Sequence, residues 1–379
     1  MLGDRFNTGR FSALMRKEFI QMRRDRLTFA MMVGIPILQL ILFGYAINSD
    51  PKHLPTAVFA QDHSIFTRSI FTALENTGYF RIVSRPETAD EAEKLLARGE
   101  VQFVIEIPPD FSRDLVRGAN PALLVDADAT DPAATGNAIS AVNLLAARAI
   151  ERDLTGPLAS RRQGAPPFSL IVHQRYNAEG RTQYNIVPGI IGVILTMTMV
   201  MFTALAMTRE VERGTMENLL TMPARPLEVM MGKIFPYIAV GYMQTALILG
   251  AARWLFDVPM EGSLVLLSAV VLLFIAANLA VGFTFSTLAR NQLQAVQMAV
   301  FFFLPSILLS GFMFPFRGMP QWAQWIGELL PLTHFLRIIR GILLKGNGVA
   351  DIRADTVAIA LFLLAATLIA LNRYRKTLD

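Results

Sequence analysis

Any catalytic or metal centre in this chain would have to be built from four histidines, no cysteines and one short run of aspartates. His53, His63, His173 and His334 are scattered, without the H-E-x-x-H spacing that sets two imidazoles on one helix face around zinc. The lack of cysteine removes disulfides, thiolate metal sites and cysteine nucleophiles together. Asp126, Asp128 and Asp131 begin like a calcium loop. Asp131, however, stands where such a loop needs glycine, and Asn137 stands where it needs its bidentate glutamate. Asp131 instead reads as the cap of a following helix, with Pro132 in its first turn. No G-x-S-x-G elbow is present. Gly232-Lys233 is not a phosphate loop, because no glycine lies five residues earlier and Ile234 replaces the required Ser or Thr. The chain is therefore expected to carry no catalytic site, to bind no metal and not to hydrolyse ATP.

The elements that must do the work are apolar. Of 379 residues 53% are hydrophobic and 17% charged, below the roughly 25% charged of a soluble domain. The apolar residues gather in six runs, about 27–47, 184–207, 234–255, 263–288, 294–314 and 356–372. Each approaches the ~20 residues that cross a bilayer, and the short last run needs tilt or local thinning. The first run is too long, and begins too far from the start, for a cleaved signal peptide, so it reads as a signal anchor. Inside the runs there is no Asp, Glu, Lys, Arg or His, and Arg253 sits at a run end. The polar interior residues, such as Gln39, Asn278 and Gln297, are neutral. A proton-coupled transporter needs ionisable relays in the membrane. Energy must come from another subunit, or the chain does not transport.

Lys and Arg near the run ends set the orientation. Arg16, Lys17, Arg23, Arg24 and Arg26 precede the first run, Arg209, Arg213 and Arg225 follow the second, and Arg373, Arg375 and Lys376 close the chain. All fall on one side if six spans leave both termini inside. Residues 315–355 then lie outside with Arg317, Arg337, Arg340, Lys345 and Arg353. A seventh span at 326–344 would bury Glu328, His334, Arg337 and Arg340, which is costly. The region reads instead as an outer interfacial helix, with Trp322 and Trp325 at headgroup depth.

Residues 48–183, between the first two spans, are long enough for a domain. Strand-like runs at 54–60, 79–84, 101–107, 121–127 and 168–176 alternate with helical runs at 63–77, 87–98, 109–117 and 131–160, which predicts an α/β sheet. This segment holds 14 Lys and Arg against 17 Asp and Glu, so the rest of the chain, with 21 against 13, is basic by +8. A basic excess around apolar spans suits anionic headgroups and not nucleic acid.

Two charged segments flank the spans on the inner side. Residues 10–24 form an amphipathic helix, with Phe11, Leu14, Met15, Phe19 and Met22 on one face and Arg16, Lys17, Arg23 and Arg24 elsewhere. It suits a surface anchor and a partner contact equally. Between spans two and three, Gly214 lets the backbone reverse, Thr215 caps a short helix with Glu217 in its first turn, and Pro223 ends it. Leu219 and Leu220 face the membrane domain in this reading, while Glu210, Arg213 and Glu217 face outward. Spacing alone is also met by an ordinary solvated loop.

The string Glu210, Gly214-Thr215, Glu217, Leu220 and Pro223, followed by Gly232-Lys233, resembles the signature of ABC-2-type exporter permeases between their second and third spans. Phe314-Pro315, Met319-Pro320, Trp322, Pro331-Leu332-Thr333-His334-Phe335, Arg340-Gly341 and Lys345-Gly346 are similar to that family's extracellular helical region before the last span. The resemblance covers about 10–50 and 184–379. The large insert after span one is similar to the branch that exports drugs or other amphiphiles, often with a periplasmic adaptor (a membrane-fusion protein).

The resemblance implies a cytosolic ABC ATPase as partner. It would dock on Glu210, Arg213, Gly214, Thr215, Glu217, Leu219, Leu220 and Pro223, and on the interface helix through Arg16, Lys17, Glu18 and Arg23. ATP and Mg would belong to that partner, with no cofactor in this chain. A second permease protomer, identical or similar, would complete a dimer with the substrate path between protomers.

The fold expected is a six-span helical membrane protein with both termini cytoplasmic and an inserted α/β periplasmic domain. Its parts are a cytoplasmic amphipathic interface helix at 1–26, span one at 27–47, the periplasmic domain at 48–183, and spans two to six at 184–379. The last part includes a coupling loop at 208–233 and an extracellular helical region at 315–350. The function expected is ATP-driven export of an amphiphilic, drug-like or lipid-like substrate across a bacterial inner membrane. The rival is a membrane-anchored sensor or assembly protein whose periplasmic domain binds a ligand or partner.

Overall fold

The computed structural model describes residues 50–146, 149–155, 159, 166–212 and 226–374. It contains a sheet region and a bundle of long apolar helices.

The sheet region alternates strand and helix: β1 (Leu54–Ala60), α1 (Ile65–Asn76), β2 (Phe80–Ser84), α2 (Ala89–Ala97), β3 (Phe103–Ile107), α3 (Phe111–Arg117), β4 (Ala122–Asp128), α4 (Pro132–Ala146) and β5 (Ser169–Arg175). The strand order is β2-β1-β3-β4-β5. β1 runs parallel to β2 and β3, β3 is antiparallel to β4, and β4 is parallel to β5. Sequence periodicity placed eight of these nine elements to within a few residues, the exception being α4. The core is apolar, with Phe80 edge-on to Phe103 at 5.1 Å and Phe111 edge-on to Phe168 at 5.8 Å. Ser64 and Thr88 cap α1 and α2 with their hydroxyls, as their residue types favour.

The fourth helix is shorter than the expected 131–160, ending at Ala146. The chain turns at 149–153, which brings Ile150 and Leu154 into the sheet core. Burial of these two side chains overrides the helical propensity of the Ala-rich run. Asp131 caps α4, its carboxylate accepting the Ala133 N–H at 3.2 Å.

Strand order reverses between β1 and β3. Sheets of this kind usually bind ligands beyond the strand ends at that point. Here Asp62 occupies it. Its carboxylate accepts from Ser64 N–H (2.9 Å) and Thr67 hydroxyl (3.0 Å) at the start of α1, and from Ser112 N–H (2.9 Å) and hydroxyl (2.6 Å) at the start of α3. Burial alone would raise its pKa, but the hydrogen bonds from Ser112 and Ser64 outweigh burial and hold it well below the usual carboxylate range.

The bundle comprises α5 (Thr182–Glu212), α6 (Pro226–Phe256), α7 (Leu264–Leu288), α8 (Gln292–Leu309), the short α9 (Gln321–Glu328), α10 (Pro331–Lys345) and α11 (Arg353–Tyr374). Stretches of five of these, Thr182–Ala206, Pro236–Phe256, Leu264–Leu288, Gln292–Leu309 and Arg353–Ala370, are long and apolar enough to cross a membrane. They match the second to sixth runs read from the sequence. The first run and the helix at 10–24 lie outside the described residues.

Helix α7 is the innermost, packing against both α5 and α11. Gly282 allows the approach to α5, since a Cβ there would sit 2.5 Å from the Val200 carbonyl oxygen. Thr196, Thr203 and Thr208 along α5 donate their hydroxyls to the carbonyls of Gly192, Met199 and Ala204, so these three hydroxyls are satisfied in the apolar interior.

Helix α10 differs from the interfacial helix expected for this region. Leu332, Phe335, Leu336, Ile339 and Ile342 are buried among α5 and α7, and Phe335 stacks on Phe274 at 4.1 Å. The desolvation cost argued from sequence is offset because its charged residues meet partners far away in the chain.

Candidate functional site

Two polar constellations mark opposite ends of the bundle. At one end α5 finishes, carrying Glu210 in its last turn. Arg213, Gly214, Thr215, Glu217, Leu219, Leu220 and Pro223 lie outside the described residues, as do Arg16, Lys17, Glu18 and Arg23. The last residue of α5 makes a contact that spacing did not single out. The Glu212 carboxylate accepts the backbone N–H of Gln292 at 2.8 Å and a second bond from its side-chain amide. Gln292 opens α8, which is capped reciprocally: Asn291 accepts from Gln294 N–H at 2.8 Å, and Gln294 accepts from Arg290 N–H at 2.9 Å. The Asn291-x-x-Gln294 spacing is a local cap signal that the sequence reading passed over, whereas the Glu212 link spans 80 residues and leaves no local mark. The end of α5 is thus tied to the start of α8.

At the other end, α10 and the start of α11 hold the sheet region. Lys345 Nζ reaches Asp128 Oδ2 at 2.5 Å, with side chains only 7% and 9% exposed, and also donates to the Leu96 carbonyl at 3.2 Å. Asn347 donates to the Ala97 carbonyl (3.1 Å) and Arg98 pairs with Asp351 (3.1 Å). From α5, Asn185 donates to the Thr130 carbonyl at 3.1 Å and in turn accepts from Arg340 at 3.0 Å. Arg340 also bonds the Gly311 carbonyl at 3.2 Å. Between these contacts lies a cavity of about 160 Å³. Burial holds Asp131 on its wall above the usual carboxylate range, although the nearby Arg340 charge pulls the other way.

Behind this wall Arg337 forks onto Glu328 and approaches Asp355 at 3.5 Å. His334 lies between Asp355 Oδ1 (2.7 Å) and the Glu328 carbonyl (2.9 Å). Burial works against its charge, but the hydrogen bonds and the Asp355 charge prevail over burial and over Arg337, so its pKa is raised. A group raised on folding stabilises fully below its unfolded value, about 6.5, and the contribution is lost as pH rises through the folded value. The stability difference between wild type and His334→Ala in detergent is expected to be largest near pH ~6 and to shrink at higher pH. A difference that grew with pH would contradict this assignment.

The comparisons with known proteins agree with this architecture. A family profile described as ABC-2 family transporter protein matches residues 26–372. The Escherichia coli (strain K12) protein named "Probable multidrug ABC transporter permease YbhS" is 30% identical over 366 residues, covering 94% of this chain and 93% of its own length. The inner membrane transport permease YhhJ from the same strain is 32% identical over 340 residues, 86% of each chain. ABC transporter G family member 20 of Dictyostelium discoideum is 23% identical over 97% of this chain, which spans 51% of that longer protein. Nearly end-to-end similarity, on a chain whose described residues include five apolar helices of spanning length, settles the family: the protein belongs to the ABC-2 transporters and is a multi-pass membrane permease, not itself an enzyme.

Proposed function

We propose that this chain is the membrane subunit of an ATP-driven exporter that moves an amphiphilic, drug-like or lipid-like substrate outward across a bacterial inner membrane. The observation that carries the reading is full-length similarity to multidrug-type permeases in a chain without a phosphate loop. Absence of ionisable side chains from the span interiors supports an external source of energy. In this reading there are six spans, both termini are cytoplasmic, and the sheet region and residues 315–350 face the periplasm. A cytosolic ATPase docks at Glu210–Pro223 and at 10–24, and two permease protomers enclose the path. The tie from Glu212 to Gln292 supports a route from the docking loop into span five. A periplasmic adaptor would meet the sheet domain.

The test is a mild-detergent pull-down of the tagged protein, with mass spectrometry and an ATPase assay. A co-purifying ATPase, lost on Glu210→Arg, is expected. Recovery of the permease alone in good yield, without ATPase activity, would favour the sensor or assembly reading.

A further inference from the structure

His334 sits among acceptors that only one of its protonation states completes. Its Nδ1 lies 2.7 Å from Asp355 Oδ1 at the start of α11, and its Nε2 lies 2.9 Å from the Glu328 carbonyl oxygen at the end of α9. The side chain is 9% exposed, so little water can stand in for a lost partner. A carbonyl oxygen and an ionised carboxylate accept hydrogen bonds and donate none. Both contacts therefore need a ring N–H, and only the imidazolium carries two. A neutral ring leaves a nitrogen lone pair facing an oxygen at hydrogen-bond distance. The Asp355 charge keeps a proton on Nδ1, so the bond that is lost is the one to Glu328.

Charged groups face the ring from each element around it. Asp355 comes from α11, Arg337 from α10 itself and Glu328 from α9, its carboxylate 3.7 Å from Nε2. Arg337 is shared between Glu328 and Asp355, and Arg317, in the turn before α9, lies beside Arg337. Of these groups the imidazole is the one whose ordinary titration falls between about pH 5 and 8.

The corner that His334 closes holds α9 on the end of α8. Met319 and Ala323 pack against Leu308 and Leu309 there. The approach is so close that a Cβ on Gly327 would sit 2.6 Å from the Leu309 carbonyl oxygen. The neighbouring bond from the Thr333 hydroxyl to the Gly327 carbonyl (2.6 Å) does not titrate, so losing the His334 bond loosens the corner without unfolding it.

We propose that His334 is a pH-operated latch: its imidazolium clamps the end of α9 to α11, and loss of the proton loosens α9 over the end of α8. Acid fastens the latch and alkali frees it. In the export reading, on which its physiological input rests, this corner faces the periplasm, so the latch answers to the pH outside the cell. The switch itself is tested in detergent without ATP or transport, so its failure would leave the export reading standing.

The chain has no cysteine, so a single introduced thiol carries a single spin label. The experiment is electron paramagnetic resonance of the full-length protein in maltoside detergent, labelled at Trp325→Cys on α9 and titrated from about pH 5 to about pH 9. Trp325 is 65% exposed, and the comparison label goes on α6 at Leu247→Cys, where the side chain is 71% exposed. At Trp325→Cys one step to higher mobility is expected as pH rises, with a midpoint above about 6.5. His334→Gln should abolish the step, and Asp355→Asn should lower its midpoint by about one pH unit. A flat titration at Trp325→Cys, or the same step at Leu247→Cys, would overturn the latch without either further variant. A step that survives His334→Gln would overturn the assignment to His334, and a midpoint unmoved by Asp355→Asn would overturn the part given to Asp355.

Discussion

A Gly214→Pro variant is expected to insert in the membrane at wild-type levels and to export nothing above background. Gly214 precedes Thr215, which the sequence reads as the cap of a short helix in the proposed docking loop. Proline there fixes φ near −65° and removes a backbone N–H, so the loop loses the reversal that glycine permits. The spans themselves are untouched, since α5 is helical through Glu212. In the proposed mechanism the loop holds the ATPase and passes its motion from α5 to α8 through Glu212 and Gln292, so coupling should fail. The measurement is efflux of a fluorescent amphiphile from cells or inverted vesicles, with membrane abundance as control and Gly214→Ala as the mild comparison. Normal efflux by a well-expressed Gly214→Pro protein would remove the coupling role from this segment.

The second large effect is on stability. Lys345→Met should destabilise the protein by about 3–5 kcal/mol, because it leaves the Asp128 carboxylate buried without its cation. The Lys345→Met/Asp128→Leu double variant should recover most of that loss, since an apolar pair replaces a buried ion pair at little net cost. Thermal unfolding in detergent, read as a double-mutant cycle, separates the pair from the Leu96 carbonyl bond that Lys345 also makes. Protease sensitivity of the sheet region should rise in the single variant and fall back in the double. A near-neutral Lys345→Met would show that this contact does not fasten the two regions.

Local pattern carried much of the architecture. Alternating strand and helix runs located the elements of the sheet, because the period of apolar residues repeats within a few residues. Apolar runs located the helices for the same reason. Pairing was not legible: the segment from 108 to 121 is long enough to return either parallel or antiparallel, and β3 and β4 are antiparallel. The burial of α10 against α5 and α7 was not legible for a related cause. His334, Arg337 and Arg340, with Glu328 at the end of α9, look too costly to bury when their partners are unknown, and those partners include Asp355 and Asn185, the latter 155 residues from Arg340. The docking residues before the first span and after the second were read from motif and cap chemistry, and all but Glu210 lie outside the described residues. What the structure adds there is the neighbour of the loop, Glu212 on Gln292.

Asp62 gives the sheet region a property that its strand order does not by itself confer. By seating its own carboxylate between the starts of α1 and α3, the domain carries a permanent occupant where related sheets await a visitor. Nothing has to arrive for it to become stiff, and nothing has to leave for it to let go. Through Lys345 and Asp128 this self-filled sheet is fastened directly to the end of α10.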